Sequence, residues 1–577
     1  MGTSPTEPAA VTETPDFYGA YPRLTEDQVE ELARHGERRR TRAGEVLFRE
    51  GDSSYDFFVV LEGLVAIVQG EGGDEKLIAV HGPGRFLGEL GLLSGQAALF
   101  TAVVREPGEV LAVPVERLRD LVQQDPTLAD LILRAYLLRR EYLIGLGAGF
   151  KIVGSRFSPD TRRLREFAAR NRLPHTFVDL EDDSAAEALL RQLDVSPADT
   201  PVVIWRGTQV LRNPSTSELA SLLGLRRAAP ESTLCDLLVV GAGPAGLAAA
   251  VYGASEGLVT VAVDAIATGG QAGTSSRIEN YLGFPAGISG AELAERAAIQ
   301  ARKFGAQISV PAEAVALEER DGHHAVRLGE GEAVAGRTVL IATGVHYRRL
   351  PVPRLEEFEG ISVYYAATWM EVQLCRGDPV AVVGGGNSAG QATLFLAQHT
   401  PLTRLIVREA DLAEHMSRYL VDRIERTENV EVLLHTEVRE LVGERTLEAL
   451  VVEDVLDGER RQVEARAMFV FIGAEPHTAW LGGQVALDER GYVLTGPEAA
   501  RAAAGDGRAT GHDPVLLETS HPGILAAGDV RCGSTKRVAS AVGEGSVAIL
   551  QVHRQLELLG RGGVHEFAER PIPTAAT

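Results

Sequence analysis

The sequence predicts a multi-domain α/β chain: a small antiparallel β-jelly-roll, a compact mixed α/β unit, and two nucleotide-binding α/β units in series. Three observations carry this. At roughly 100–200 residues per domain, 577 residues are too many for one hydrophobic core and imply about three to five. The rhythm of strand-like and helix-like runs changes near residues 150 and 235. Two glycine-rich turns each follow an apolar strand and open a helix.

Composition narrows the function classes. Hydrophobic residues are 45% and charged residues 24%, an ordinary globular balance that excludes disorder as the main state. Lys+Arg is 57 against Asp+Glu 80, a net charge of −23, which argues against nucleic acid as a partner. Three cysteines exclude a disulfide framework and fit a reducing cytoplasm, the expected location. No apolar stretch reaches ~18 residues, so no membrane helix is expected, and no metal site is expected either. The segment MGTSPTEPAAVTETPDF has no basic n-region and no apolar h-region, so residues 1–17 are expected to be a disordered tail.

The elements follow in order. Over residues 18–145, EVLFREGD, DFFVVLEGLVAIVQG, EKLIAVHGPG and EVLAVPV are short strands punctuated by glycine, with helical patterns before and after. Residues 150–226 alternate as KIVG, PDTRRLREFAARNRL, HTFVDL, AAEALLRQL, PVVIWR, TQVLR and SELASLLGL, a β-α-β-α-β-β-α unit. The polar stretch RRAAPEST (226–233) separates this from the nucleotide-binding region, and 561–577 is a Gly/Pro/Ala-rich tail.

The strongest motif is CDLLVVGAGPAGLAAAVYGASEGLVTVAVD. A strand leads into Gly241-Ala242-Gly243-Pro244-Ala245-Gly246, a helix follows, and the next strand ends at Asp264, 23 residues after Gly241. Gly241 permits the tight turn, Gly243 lets backbone approach a pyrophosphate, and Gly246 lets helix pack on strand. The helix N-terminus offers free N–H groups to phosphates, and Asp264 is placed to accept from ribose hydroxyls. A second unit begins at DPVAVVGGGNSAGQATLFLAQH, with Gly384, Gly386, Asn387, Ser388 and Ala389 in the turn. Ala389 stands where a third glycine is usual, a tolerated change.

Together with GGQAG (269–273), IENYLGFP (278–285), GILAAGDV (523–530) and KRVASAVGEGSVAI (536–549), these motifs resemble the thioredoxin-reductase branch of the pyridine nucleotide–disulfide oxidoreductases, from about Cys235 to Leu559. The resemblance implies FAD in the first unit and NADH or NADPH in the second. It implies that Gly270, Gln271 and Asn280 line the flavin, that Gly528 and Asp529 hold the ribityl chain, and that Lys536-Arg537-Val538 meets the pyrimidine edge. Thr343-Gly344 and FIGAEPHT (471–478) mark where the nicotinamide domain is inserted. The expected domains are FAD-binding at 235–350 and 479–560, and NAD(P)-binding at 351–478. Arg408 and Glu409 end the strand where the family's Arg pair grips a 2′-phosphate. Glu409 favours a 2′-OH, and Arg408 leaves NADPH open.

The family's C-x-x-C is missing. Its place is taken by Tyr365-Ala366-Ala367-Thr368, or the frame one residue on, and neither Ala nor Thr supplies the thiolate that disulfide reduction needs. Cys375 precedes the nicotinamide strand, away from the expected ligand side, and Cys235 begins the first strand as a core residue. Cys532, three residues after Asp529 and without a partner in sequence, reads as a bland buried or loop thiol, with a thiol of lowered pKa near the flavin as the alternative and weak catalytic candidate.

Two further resemblances concern the N-terminal half. Residues 150–226 resemble a thioredoxin fold without its C-x-x-C: Ser158-Pro159-Asp160-Thr161 stands in that place and Thr200-Pro201 at the cis-proline site. Residues 18–145 resemble a cyclic-nucleotide-binding domain through Gly44, Gly51-Asp52, Gly63, Gly84 and the cassette Phe86–Leu93. That resemblance implies a nest near Gly88, Glu89 and Leu90 for a small nucleotide, but Ala98 occupies the place of the phosphate-binding Arg.

The expected function is an FAD-dependent NAD(P)H oxidoreductase, with hydride passing from nicotinamide to flavin and on to an unknown acceptor: a protein, a quinone or oxygen. A homodimer with regulatory N-terminal domains is expected. A non-catalytic sensor, and a thioredoxin reductase with relocated cysteines, are the alternatives.

Overall fold

The computed structural model describes residues 12–558, apart from 71–74, 95, 182–189, 192, 197–198, 207–208, 226–233, 276, 321, 330 and 506–514. The expected linker at 226–233, the tail at 561–577, residues 1–11 of the N-terminal tail and most of the AAEALLRQL helix lie outside the described residues. The chain forms two compact units, Met1–Ala228 and Ala229–Thr577.

The first unit opens with five antiparallel strands: β1 (Glu37–Arg40), β2 (Val46–Phe48), β3 (Phe57–Gln69), β4 (Lys76–His81) and β5 (Thr101–Val113). Their order is β1-β5-β3-β4, with β2 also on β5. β3 and β5 pair along most of their length. They bend where Gly63 faces Glu106 and Pro107, and Gly108 faces Glu62. A Cβ on Gly108 would lie 2.1 Å from the Glu62 carbonyl oxygen, and one on Gly63 2.4 Å from that of Glu106. Only glycine permits so close an approach at these irregular steps in the pairing.

Three differences from the sequence reading are physical. β1 is ERRR, exposed throughout, so no alternation announced it; charge on a sheet edge discourages further pairing. β5 begins at Thr101 rather than near Glu109, because Pro107-Gly108 sits inside a bulged strand instead of ending one. The described end of the expected disordered tail is held on the edge strand β4: Thr14 N–H donates to Val80 O (3.0 Å), Val80 N–H donates to Thr14 Oγ1 (2.8 Å), and Glu13 pairs with Arg85 (2.9 Å). An edge strand has backbone groups to satisfy, and this segment satisfies them.

Helix Pro126–Gly145 follows, started by Asp125, whose carboxylate accepts from Thr127 and Leu128 N–H, with proline in the first turn. The next sheet contains β6 (Phe150–Gly154), β7 (His175–Asp179), β8 (Val202–Trp205) and β9 (Gln209–Arg212), in the order β7-β6-β8-β9. β6 and β7 are parallel; β8 and β9 run antiparallel. Helix Pro159–Arg170 is capped by Ser158. The Thr200–Pro201 peptide is cis, and Pro201 and Thr161 meet at Gly154.

In the second unit, β10 (Cys235–Val240), β11 (Thr260–Val263) and β12 (Gln307–Ser309) are parallel. β13 (Ala314–Arg320), β14 (His323–Leu328) and β15 (Ala333–Ile341) form an antiparallel run, and β26 (Ile524–Ala526) returns parallel to β15. The order is β12-β11-β10-β15-β14-β13. One core covers each face of this sheet, which is why β10 reads as a continuous apolar run. Two crossing strands, β16 (Val345–Tyr347) and β25 (Ala474–Pro476), pair antiparallel and bracket the inserted part. That part has a parallel sheet, β17-β24-β18-β19-β20, of Val363–Tyr364 (β17), Val380–Val383 (β18), Thr403–Ile406 (β19), Val430–Leu433 (β20) and Ala467–Val470 (β24). It also has an antiparallel ribbon of β21 (Thr436–Val442), β22 (Ala449–Asp454) and β23 (Arg460–Glu464). Among the described residues, no helix is long and apolar enough to cross a membrane.

The close approach at Gly108 has a direct consequence. Gly108→Ala is expected to destabilise the N-terminal sheet by about 1–3 kcal/mol, through overpacking against Glu62. Scanning calorimetry of the full chain should show one unfolding transition shifted downward, with the flavin-side transition unmoved.

Candidate functional site

The first cradle is made where β10 enters helix Pro244–Ser255. Gly241 has φ +106, and a Cβ there would lie 2.3 Å from Ala342 O; one on Gly246 would lie 1.8 Å from Gly241 O. Gly243 differs, because a Cβ on it would meet nothing nearer than Gly270 Cα at 3.8 Å. Its glycine is therefore required by something other than the protein's own packing, and a pyrophosphate approaching the backbone fits. The helix has Gly243 as N-cap with no side-chain cap, which leaves its first N–H groups for a ligand. Asp264 reaches the turn: Oδ2 accepts from Ala242 N–H (2.8 Å), while Oδ1 accepts from Ile266 and Ala267 N–H (3.0 and 3.2 Å). A carboxylate has lone pairs to spare for a ribose hydroxyl beyond these.

Other expected flavin residues gather around this turn. Gly269 N–H donates to Ala242 O (2.7 Å), seating the Gly270-Gln271 loop against it, and Gln271 Nε2 donates to Val345 O (3.3 Å). Thr343 Oγ1 donates to His477 O (2.8 Å), and His477 N–H donates to Gly344 O (3.1 Å), so the two crossing points are stitched together. Gly528 has φ +78 and fits against Ala245, and its N–H donates to Glu544 Oε2 (2.7 Å). Asp529 is partly buried. Desolvation raises its pKa, opposed by Lys536 and reinforced by Glu544. Lys536 Nζ donates to Asp529 O, and the last helix runs Val538–Leu558, with Arg537 O accepting from Ala541 N–H (3.0 Å). Asn280 is exposed beside Glu279, which pairs with Arg423 of the inserted part at 3.1 Å. The sequence reading missed Glu544: its carboxylate holds both Gly528 N–H and Arg531 (2.5 Å) and so fixes the loop carrying Asp529.

The second cradle repeats the first. Gly384 has φ +139, with a Cβ placed 2.3 Å from Phe471 O, and nothing lies within 4 Å of a Cβ on Gly386. Helix Asn387–Ala397 also lacks a side-chain N-cap. Ser388 is exposed in its first turn, Ala389 is buried, and Asn387 Oδ1 accepts from Ser417 N–H (2.7 Å). Glu409 turns toward this cradle, its Oε2 3.0 Å from a Cβ on Gly385. Arg408 is exposed, and its Nε donates to Glu409 Oε1 (3.0 Å).

The thiols sit apart in environment. Cys235 and Cys375 are buried in core, and burial pushes both thiols up to about 12. Cys532 corrects the alternative reading of its thiol: its pKa is raised, not lowered, first by desolvation and then by the hydrogen bond and negative charge of Asp488. Where the dithiol was sought, Tyr364-Tyr365-Ala366-Ala367-Thr368 leads into helix Trp369–Leu374. Thr368 N–H donates to Glu371 Oε2 (2.8 Å), and Tyr365 OH donates to Glu359 Oε1 (2.6 Å).

In the first unit, Gly88 has φ +97 and Leu90 starts a short helix, Leu90–Ser94. Glu89 is buried, its Oε1 accepting from Leu99 N–H (3.0 Å). Ala98 is buried and spends its backbone on Gly51 and Asp52. Sequence reasoning missed the cations supplied from afar. Arg139 and Arg140, both buried on helix Pro126–Gly145, reach the cassette; Arg139 donates to Phe86 O and Gly88 O, and Arg140 to Gln96 Oε1. Two adjacent arginines inside an apolar helix, AYLLRREYLIG, were the available signal.

Residues 235–545 match the family model of pyridine nucleotide-disulphide oxidoreductases, and residues 38–125 that of the cyclic nucleotide-binding domain. The chain is similar to a thioredoxin reductase of Treponema pallidum, 34% identical over 313 residues, 54% of this chain and 94% of that protein. It is also similar to a 34.2 kDa protein in the rubredoxin operon of Clostridium pasteurianum, 31% identical over 326 residues, 56% of this chain and 98% of that protein. Among solved structures, the thioredoxin reductase of T. acidophilum aligns over 56% of this chain and 99% of its own, at 28% identity and TM-score 0.50.

The room at Gly243 separates cofactor binding from folding. Gly243→Ala should fold, since its Cβ would meet nothing nearer than Gly270 Cα at 3.8 Å, but lose FAD. Retention is expected to fall roughly tenfold or more, the worth of contacts of about 1.5–3 kcal/mol. Absorbance of bound flavin after gel filtration, beside an unchanged far-ultraviolet dichroism spectrum, checks it.

Proposed function

The chain belongs to the pyridine nucleotide-disulphide oxidoreductases, and we propose that it is a member whose electrons leave the flavin without passing through a protein dithiol. It is an FAD-dependent NAD(P)H oxidoreductase joined to a cyclic-nucleotide-binding-type domain. When bound, FAD supplies the hydride-accepting ring chemistry. The chain's own residues bind and orient. The Gly241–Gly246 and Gly384–Ala389 turns present backbone N–H groups to the two pyrophosphates. Asp264 would hold a ribose, Asp529 would hold the ribityl chain, and the start of helix Val538–Leu558 would supply positive potential to the flavin ring.

One observation carries the absence of a relay. The segment from Tyr365 to Trp369 contains no thiol, and each of the three cysteines has a raised pKa. Disulfide exchange needs a thiolate, and a raised pKa leaves less of it at Cys235 and Cys375 in the core and at the part-exposed Cys532. The acceptor in this reading is a quinone, oxygen or a protein that takes electrons directly from the flavin. Thioredoxin, for which the Treponema pallidum and T. acidophilum reductases are named, is the acceptor that this reading disfavours. A homodimer in the cytoplasm belongs to the same reading.

Coenzyme choice rests on Glu409. Its carboxylate faces the second cradle, where it accepts from a 2′-OH and repels a 2′-phosphate, while Arg408 is turned to solvent and bonded to Glu409.

Two outcomes are expected. Glu409→Arg should move the ratio of flavin-reduction rates toward NADPH, measured by stopped-flow absorbance; a wild type that already prefers NADPH strongly would contradict the assignment. Anaerobic titration should take up two electrons per FAD, and a variant with Cys235, Cys375 and Cys532 all replaced by Ser should keep the rate of flavin reduction. Uptake of four electrons would reveal a dithiol and overturn the proposal.

A further inference from the structure

The N-terminal sheet and helix Pro126–Gly145 line a cavity that is partly open to solvent. Its wall is largely apolar and aromatic: Phe48, Tyr55, Ile67, Ile78, Phe100 and Leu143. Glu89, His81 and Arg139 also line it.

Two of these are unfinished. Glu89 is 6% exposed and His81 is 2% exposed. Glu89 Oε1 is taken by Leu99 N–H, but Oε2 has no hydrogen-bond partner, and neither has His81 Nδ1. A buried acceptor left unpaired costs about 1–3 kcal/mol, and more when charged. Burial lowers the His81 pKa well below its usual value, so the imidazole is neutral and either donates or accepts at Nδ1.

Arg139, by contrast, is held by three backbone carbonyls. Nε donates to Ala20 O (2.7 Å), Nη1 to Gly88 O (2.8 Å) and Nη2 to Phe86 O (3.0 Å). Its guanidinium also lies 4.7 Å from the Phe86 ring centroid, 5.2 Å from that of Tyr21 and 5.5 Å from that of Tyr136. Three carbonyls and three rings stabilise this charge without an anion. Arg140 donates to Gln96 and is not among the lining residues; desolvation raises the Glu89 pKa, opposed by the Arg140 charge and by the Leu99 N–H. The cavity therefore offers an unpaired acceptor and an adaptable imidazole among rings, and the cation in its wall is already occupied.

We propose that this cavity binds a small uncharged aromatic compound carrying an N–H or O–H donor, which pairs with Glu89 Oε2 beside His81, and that it does not bind a cyclic nucleotide. The rings of Phe48, Tyr55 and Phe100 supply the apolar contact, and Glu89 selects for the donor. A cyclic phosphate finds Ala98 in the cassette and Arg139 committed to carbonyls. The assignment is independent of the reaction in the second unit.

Indole and 1-methylindole test it, because the second replaces the N–H by N–CH₃, and the Glu89→Gln variant separates the lost donor from the added methyl group. Calorimetric titration of the FAD-loaded full chain is expected to give a Kd for indole about fivefold or more below that for 1-methylindole, the value of one hydrogen bond to an otherwise unpaired buried acceptor. Glu89→Gln keeps an oxygen for Leu99 N–H but presents an NH₂ to the cavity, so the preference should vanish while the flavin spectrum stays unchanged. Ala79→Leu fills the cavity from β4 and should abolish indole binding. Cyclic AMP should give no heat at micromolar concentration. The proposal fails if indole does not bind, if the two indoles bind alike to the wild type, if both variants keep the preference, or if cyclic AMP binds with micromolar affinity.

Discussion

The second unit depends on one packing constraint: helix Pro244–Ser255 lies nearer its neighbours than side chains allow. A Cβ on Gly246 would reach within 1.8 Å of Gly241 O, and one on Gly253 within 2.9 Å of Thr260 Oγ1. From the other side, a Cβ on Gly545 would lie 2.2 Å from Ala245 O, and one on Gly528 2.9 Å from Ala245 Cβ. Four glycines thus let one helix touch strand, loop and the last helix at once. That contact brings residues from two distant stretches of sequence, near 241 and near 529, to one place. Had any of the four been larger, the helix would stand off and the cradle would open.

The same economy of side chains explains how ligand-facing and structural glycines differ. Gly241 and Gly384 have positive φ and are hemmed in by carbonyls of neighbouring strands, so the turn itself requires them. Gly243 and Gly386 are not hemmed in, and their helices carry no side-chain cap. Helices Pro159–Arg170 and Gly290–Lys303, which face no expected ligand, are capped by serines. Where a cap is missing and a glycine has room beside it, donors are reserved for something outside the chain.

Electrostatics separates the two halves by a different route. In the second unit, charge is placed at exposed or partly buried positions beside the cradles, as at Asp264, Glu409 and Lys536. In the first, Arg139, Arg140, Glu89 and His81 are taken out of water altogether. Carbonyls and aromatic rings satisfy Arg139, whereas Glu89 and His81 each keep a polar atom without a partner. Buried polar groups are costly unless paired, so their persistence marks a place with a use beyond stability.

The sequence by itself determined the parts whose physics is local. A β-branched run, a glycine turn and a helix read in order from residues 235–264 and 379–398, because each piece requires particular residue types at fixed spacing. The missing thiols at 365–369 were equally plain. Only the tertiary structure decided what depends on neighbours remote in the chain. ERRR became a strand because β5 offered it an edge, and Thr14 was drawn from an expected tail by the unpaired backbone of β4. The Cys532 thiol is raised by desolvation and then by Asp488, 44 residues away in the chain but beside it in space. Arg139, fifty residues after the cassette, serves Phe86 and Gly88 because its helix folds back over them. Spacing along the chain carries no record of these encounters, since burial and charge act through space.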